Sequence, residues 1–183
     1  MKFYPFIFLL AFVFLASCTK NYVFEDQLYN CNIEGFKSSN YDLEKNIYQI
    51  QLLLLEDQVL EDTTGHDYDN FFDEMSKGNW DNPELNPKTT TALLSLLESD
   101  GSYWCTLEEM GLDSAQFKIS KFNTIIEDFY KEYPIVNGKH KVFDGKEFAT
   151  FYGKELSAED LEHRYYKYLV ISGFANYFVK GSE

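Results

Sequence analysis

The sequence predicts a mostly α fold: a single helical domain of about five helices over residues 39–183, with a small β-hairpin near residues 135–143. Two observations carry the helices. Apolar side chains recur three and four residues apart over long stretches, which gathers them on one helical face. Capping residues stand at the head of those stretches, with glycine or proline near their ends. A third observation carries the hairpin. Asn137 and Gly138 tolerate the positive φ of a two-residue turn, and they sit between two short apolar runs.

The first element is a long helix over "SNYDLEKNIYQIQLLLLEDQVLED". Ser39 or Asn40 is its expected cap, because a side-chain oxygen there can accept from the free amides of the first turn. Leu43, Ile47, Ile50, Leu54 and Leu55 make its apolar face, and the run from Leu52 to Leu55 implies burial on more than one side. Thr63 to Gly65 break this helix. A shorter one follows, with Phe71, Phe72 and Met75 inward and Gly78 at its end. Pro83 and Pro87 mark a loop, since proline lacks an amide hydrogen and restricts the residue before it. "TTTALLSLLESDG" gives a third helix with Leu93, Leu94, Leu96 and Leu97 inward, stopped by Gly101. Thr106 and Glu109 have capping-box spacing and open a short turn.

Ser114 opens a fourth helix, continuous to Tyr133 and stopped by Pro134. Phe117, Phe122, Ile125, Ile126, Phe129, Tyr130 and Tyr133 form its apolar stripe. After the hairpin, "GKEFATFYGKEL" is a short helix. Ser157 and Asp160 cap a last long helix, "AEDLEHRYYKYLVISGFANYFVK". Its Tyr165, Tyr166, Tyr168, Phe174, Tyr177 and Phe178 are read as core. The alternative is an exposed aromatic patch for a protein or glycan, and Tyr103 and Trp104 beside Cys105 are open to the same two readings.

The amino terminus has its own logic. Lys2 precedes an apolar run over residues 3–17, shorter than the roughly 20 residues that cross a hydrocarbon core. A charged start, a short apolar stretch and small residues at its end describe a secretory signal. Leu15-Ala16-Ser17-Cys18 resembles the lipobox of bacterial lipoproteins. The resemblance covers about the first twenty residues. It implies that residues 1–17 are a signal cut before Cys18, and that the Cys18 thiol and the new amino terminus are acylated. Residues 18–38 are then a lipidated start and tether, and the mature chain from Cys18 to Glu183 has 166 residues. Thr19, where an Asp would signal retention in the better-known sorting rule, implies the outer membrane of the cell envelope. Each buried methylene contributes about 0.8 kcal/mol, so one chain holds marginally and two or three hold firmly. The alternatives are an ordinary cleaved signal with an incidental cysteine and a resident transmembrane anchor.

With Cys18 used for lipid, Cys31 and Cys105 remain. An envelope compartment permits a disulfide between them, and the chain-entropy model gives a loop of about 75 residues a stabilisation of about 4 kcal/mol. The alternative is two buried free thiols.

Charge is uneven. The chain carries a net charge of −14. Cys18 to Met110 holds 19 acidic and 5 basic residues, while Gly111 to Glu183 holds 11 and 10. Such a surface repels the phosphates of nucleic acid, which is set aside as a partner, and it repels anionic head groups. It favours basic proteins or cations, or it serves solubility alone.

The acidic residues concentrate at Glu56, Asp57, Glu61, Asp62, Asp67, Asp69, Asp73 and Glu74, a candidate binding face with no Lys or Arg among them. Asp67-Tyr68-Asp69 begins like a calcium loop. The sixth position is Phe72 rather than Gly and the twelfth is Gly78 rather than Glu, so an EF-hand is rejected. The rivals for this stretch are an irregular cation site, a docking face for a basic partner, and a solvated surface. Histidines are His66, His140 and His163. Asp160 and His163, three apart, share a helical face, but a di-iron bundle needs further copies of that pairing. No GxSxG, GxGxxG, P-loop or zinc spacing occurs. Carboxylate pairs for sugar hydrolysis are available to any acidic protein.

The function these features imply is a lipid-anchored envelope protein acting as a non-catalytic binding or accessory protein, with no metal or cofactor. One version is an immunity protein whose acidic face covers a basic toxin. The alternatives are an envelope enzyme acting on cell-wall glycan or peptide, and a structural subunit of an envelope complex.

Overall fold

The computed structural model describes residues 20–38, 40–78, 84–99, 105–135 and 144–179. The protein is mostly helical, and no strand occurs among the described residues. The expected hairpin falls largely on residues 136–143, outside the described residues. In chain order the helices are α1 (Val23–Ser38), α2 (Leu43–Glu56), α3 (Gly65–Ser76), α4 (Pro87–Ser99), α5 (Ser114–Lys118), α6 (Lys121–Glu132), α7 (Gly145–Glu155) and α8 (Arg164–Phe174). A 3-10 turn, Asp160–Glu162, precedes α8, and a π-helical turn, Ala175–Val179, follows it.

The centre is α8. Its Tyr166, Val170, Ile171 and Phe174 are buried, and α1, α4 and α7 pack around it. Arg164 at its first position ties two neighbours, donating to Asp26 and Asn30 of α1 and to Glu44 of α2. Helix α3 lies antiparallel to α7: Gly65 abuts the Ala158 carbonyl beyond the end of α7, while the Phe72 Cβ lies 3.2 Å from where a Cβ on Gly153 would stand. Small residues let these backbones approach. Gly173 likewise makes room for the Phe148 ring.

Several expected boundaries move, each for a local reason. Asp42, not Ser39 or Asn40, caps α2, accepting from the Lys45 amide at 3.1 Å. That helix ends at Glu56, short of Asp62, because Gln58 turns left-handed at φ 58°. The Val59 amide then bonds the Leu54 carbonyl and the Gln58 amide the Leu55 carbonyl, a Schellman closure that buries Val59. Leu52 is exposed, so the leucine run is not buried all round. The fourth helix is two: Ser120 accepts from the Asn123 amide and starts α6 afresh. The last helix breaks at His163, which is extended and caps α8. Asp160 and His163 therefore do not share one helix.

The largest change is at the start. Residues read as a tether form α1, which buries Phe24, Tyr29 and Phe36 against α2, α6 and α8. The rings of Tyr29 and Phe36 both meet Tyr168 edge-on. Phe24 and Leu28 stand four apart, and Tyr29, Ile33 and Phe36 four and three apart, so helical spacing is present in this segment, with Leu28 and Ile33 partly buried against the same core.

Candidate functional site

The acidic stretch does not present one uniform face. Asp67 is buried at the start of α3, where its Oδ2 accepts from the amides of Glu61 at 2.9 Å and Asp62 at 3.3 Å. Asp62 accepts from the Thr64 hydroxyl and amide, and these bonds hold its carboxyl below the usual range. Asp57 accepts from the Asn86 amide and joins the end of α2 to the start of α4. Asp73 and Glu74 both pair with Lys77, at 2.6 and 3.0 Å. Glu56, Glu61 and Asp69 keep carboxylates without a hydrogen bond or ion pair among the described residues.

Asp69 and Asp73 stand one turn apart and line an open cleft of about 410 Å³ between α3 and α7. Ser76, Thr150 and Lys154 line it too, over a floor of Phe72 and Gly153. Lys154 is engaged by Glu155 at 3.3 Å and Glu132 at 3.6 Å. A second cleft, about 510 Å³ between α2 and α4, is lined by Tyr41, Asn46, Gln49, Leu53, Lys88 and Thr91. Among the described residues, no histidine lines either cleft. Among the described residues, no three His, Cys, Asp or Glu side chains gather as metal ligands. His66 is exposed, and His140 lies outside the described residues.

A denser polar cluster sits where the chain enters the fold. The Asp160 carboxylate is almost wholly buried. Its Oδ1 accepts from Lys20 Nζ at 3.0 Å and the Tyr22 hydroxyl at 2.9 Å. Its Oδ2 accepts from the Ser157 amide at 2.9 Å and the Ser157 hydroxyl at 2.7 Å. Burial opposes ionisation here, but the hydrogen bonds from Ser157, Lys20 and Tyr22 outweigh it and lower the Asp160 pKa. Lys20 also donates to the Ser157 hydroxyl, and its pKa is raised because Asp160 and Glu159 overcome its own desolvation.

Alongside lies Glu25, fully buried on the first turn of α1. Its Oε1 accepts from the Phe122 amide at 2.8 Å and the Tyr166 hydroxyl at 2.9 Å, while Oε2 is buried without a partner. Burial and then the Glu25 charge push the Tyr166 hydroxyl well up. The His163 ring packs on Tyr22 with centroids 4.7 Å apart, and its Nδ1 accepts from the Tyr165 amide. Its Nε2 lies 3.4 Å from Asp26 Oδ1, outside hydrogen-bond geometry. Burial lowers the His163 pKa.

The Ser157 and Asp160 spacing is visible in the sequence. Their partners Lys20 and Tyr22 are not, because they approach from nearly 140 residues away. Cys31 of α1 and Cys105 are joined as a disulfide with Cα atoms 6.3 Å apart. Cys18 lies outside the described residues. No described helix is long and apolar enough to cross a membrane. Comparison with family models, curated proteins and solved structures yields no match.

Proposed function

We propose that this chain is an outer-membrane lipoprotein, acylated at Cys18, that works as a non-catalytic binding or accessory protein for a basic protein partner. The observation carrying the binding role is the open α3–α7 cleft. Its Asp69 and Asp73 project from a chain whose acidity is concentrated in its first half. Such a face steers a basic partner by long-range attraction, which salt screens. The lipobox sequence supports the anchor, and the Cys31–Cys105 pairing suits an oxidising compartment.

Two measurements test this. Metabolic lipid labelling should mark the wild-type chain and not the Cys18→Ala variant, which should also leave the membrane fraction. Capture of envelope proteins on the full chain should enrich a basic partner at low salt and lose it at high salt. Reversal at Asp69 and Asp73 to lysine should weaken that capture at least tenfold. Capture indifferent to both salt and reversal would overturn the acidic-face reading.

A further inference from the structure

We propose that one corner of the domain, Val23 with the Lys118–Lys121 connection between α5 and α6, rests on the lipid bilayer. The inference depends on the acylation of Cys18 proposed above, and it specifies how the anchored domain is held.

The geometry begins with Lys20. It is fixed to Ser157 and Asp160, and Tyr22 is fixed to the same carboxylate. Only Thr19 separates Lys20 from Cys18. Two residues of chain span about 7 Å at full extension. A bilayer holding lipid on Cys18 must therefore approach the domain near Lys20, and no long tether lets it stand away.

Helix α1 starts three residues later, at Val23. Phe24 packs against Phe117 at 5.2 Å and Phe122 at 5.3 Å between ring centroids. Glu25 holds the Phe122 amide. These contacts bring the α5–α6 connection beside the first turn of α1. Between the two phenylalanines lies Ile119, 75% exposed, and Val23 is 41% exposed.

Lys118 and Lys121 flank Ile119, and neither has a carboxylate in ion-pair contact among the described residues. An apolar side chain framed by lysines suits the interface, where the methyl groups enter the acyl boundary and the ammonium groups meet lipid phosphate. The chain as a whole is acidic and is repelled by anionic head groups. The ammonium groups of Lys118 and Lys121 offset that repulsion at this corner.

The test uses the full acylated chain in vesicles of phosphatidylethanolamine and phosphatidylglycerol carrying a nitroxide-labelled acyl chain. The wild type, with Trp80 and Trp104, supplies the baseline. Ile119→Trp should show added fluorescence quenched at least threefold more than that of Tyr48→Trp, another exposed site, on α2. In the acylated chain without substitutions, amide exchange over residues 118–121 should slow on the vesicles while the α2 surface is unchanged. Equal quenching at both sites, or unchanged exchange at 118–121, would overturn the corner. If lipid labelling shows Cys18 unacylated, both this inference and the anchor fall. If Cys18 is acylated and the corner stays wet, the corner alone falls.

Discussion

At the residue scale the protein is governed by a few close approaches and one buried polar cluster. A Cβ on Gly65 would collide with the Ala158 carbonyl, which is backbone and cannot swing aside. Gly65→Ala should destabilise by about 3 kcal/mol. At Gly153 the Phe72 Cβ lies 3.2 Å from the added carbon, a tight but smaller conflict, so Gly153→Ala should cost about 1 kcal/mol. Denaturant unfolding ranks the two, and the reverse order would contradict the described packing. His163 makes a pH prediction. Burial lowers its pKa in the fold, so below the ordinary histidine value the unfolded chain takes up the proton more readily. Its contribution is present above about pH 6.5 and is lost as pH falls toward its folded value. His163→Asn keeps a capping acceptor for the Tyr165 amide and should flatten the fall in melting temperature between pH 7 and pH 5. The cluster around Asp160 and Glu25 was only half legible in the sequence. The Ser157–Asp160 pair is a local spacing, whereas Tyr22, Glu25 and Tyr166 meet through packing that no local pattern encodes.

At the scale of elements the sequence was legible wherever amphipathic spacing and a cap agreed. Helix α3 keeps the expected Phe71, Phe72 and Met75 face and its Gly78 end at φ 80°. Helix α4 buries Leu93 and Leu96, with Pro87 at its first position and Asn86 accepting from the Lys88 amide. Thr106 and Glu109 bond reciprocally as their spacing implies. The failures are breaks inside apolar runs. Ser120 and His163 each interrupt a stripe that continues on both sides, and only a tertiary bend reveals them as caps. Ser120→Ala removes the acceptor for the Asn123 amide and should cost about 1 kcal/mol, read by chemical denaturation. Gln58 offers the opposite sign. A side chain in the left-handed region costs about 1–2 kcal/mol, part of which glycine returns through its looser unfolded state. Gln58→Gly should therefore stabilise by about 0.5–1 kcal/mol, and a loss of stability would mean that the glutamine side chain packs usefully.

Across the whole molecule, two constraints tie the beginning of the chain to distant parts: the polar grip of Lys20 and Tyr22 on Asp160, and the bond from Cys31 to Cys105, 74 residues apart. On the chain-entropy model the latter contributes about 4 kcal/mol. Reduction, or Cys31→Ser with Cys105→Ser, should lower unfolding stability by about that amount while the helical signal below the transition persists. The mostly helical character was readable from apolar spacing and caps, and the bias of charge toward the first half from the residues themselves, whereas the docking of α1 was not, because no local spacing encodes which helices its Phe24, Tyr29 and Phe36 meet. That bond also decides how the protein responds to being tugged. With the anchor at Cys18, a partner drawn away from the membrane pulls on α1 first, and residues 20–30 can peel off over about 40 Å. The tug then meets the sulfur bridge and passes to residue 105 as well. A partner seated on the α3 wall of the acidic cleft is then loaded along two arms, from residue 31 and from residue 105, so the segment 32–104, closed into a loop by the bridge, shares a strain that strips only the first half of α1.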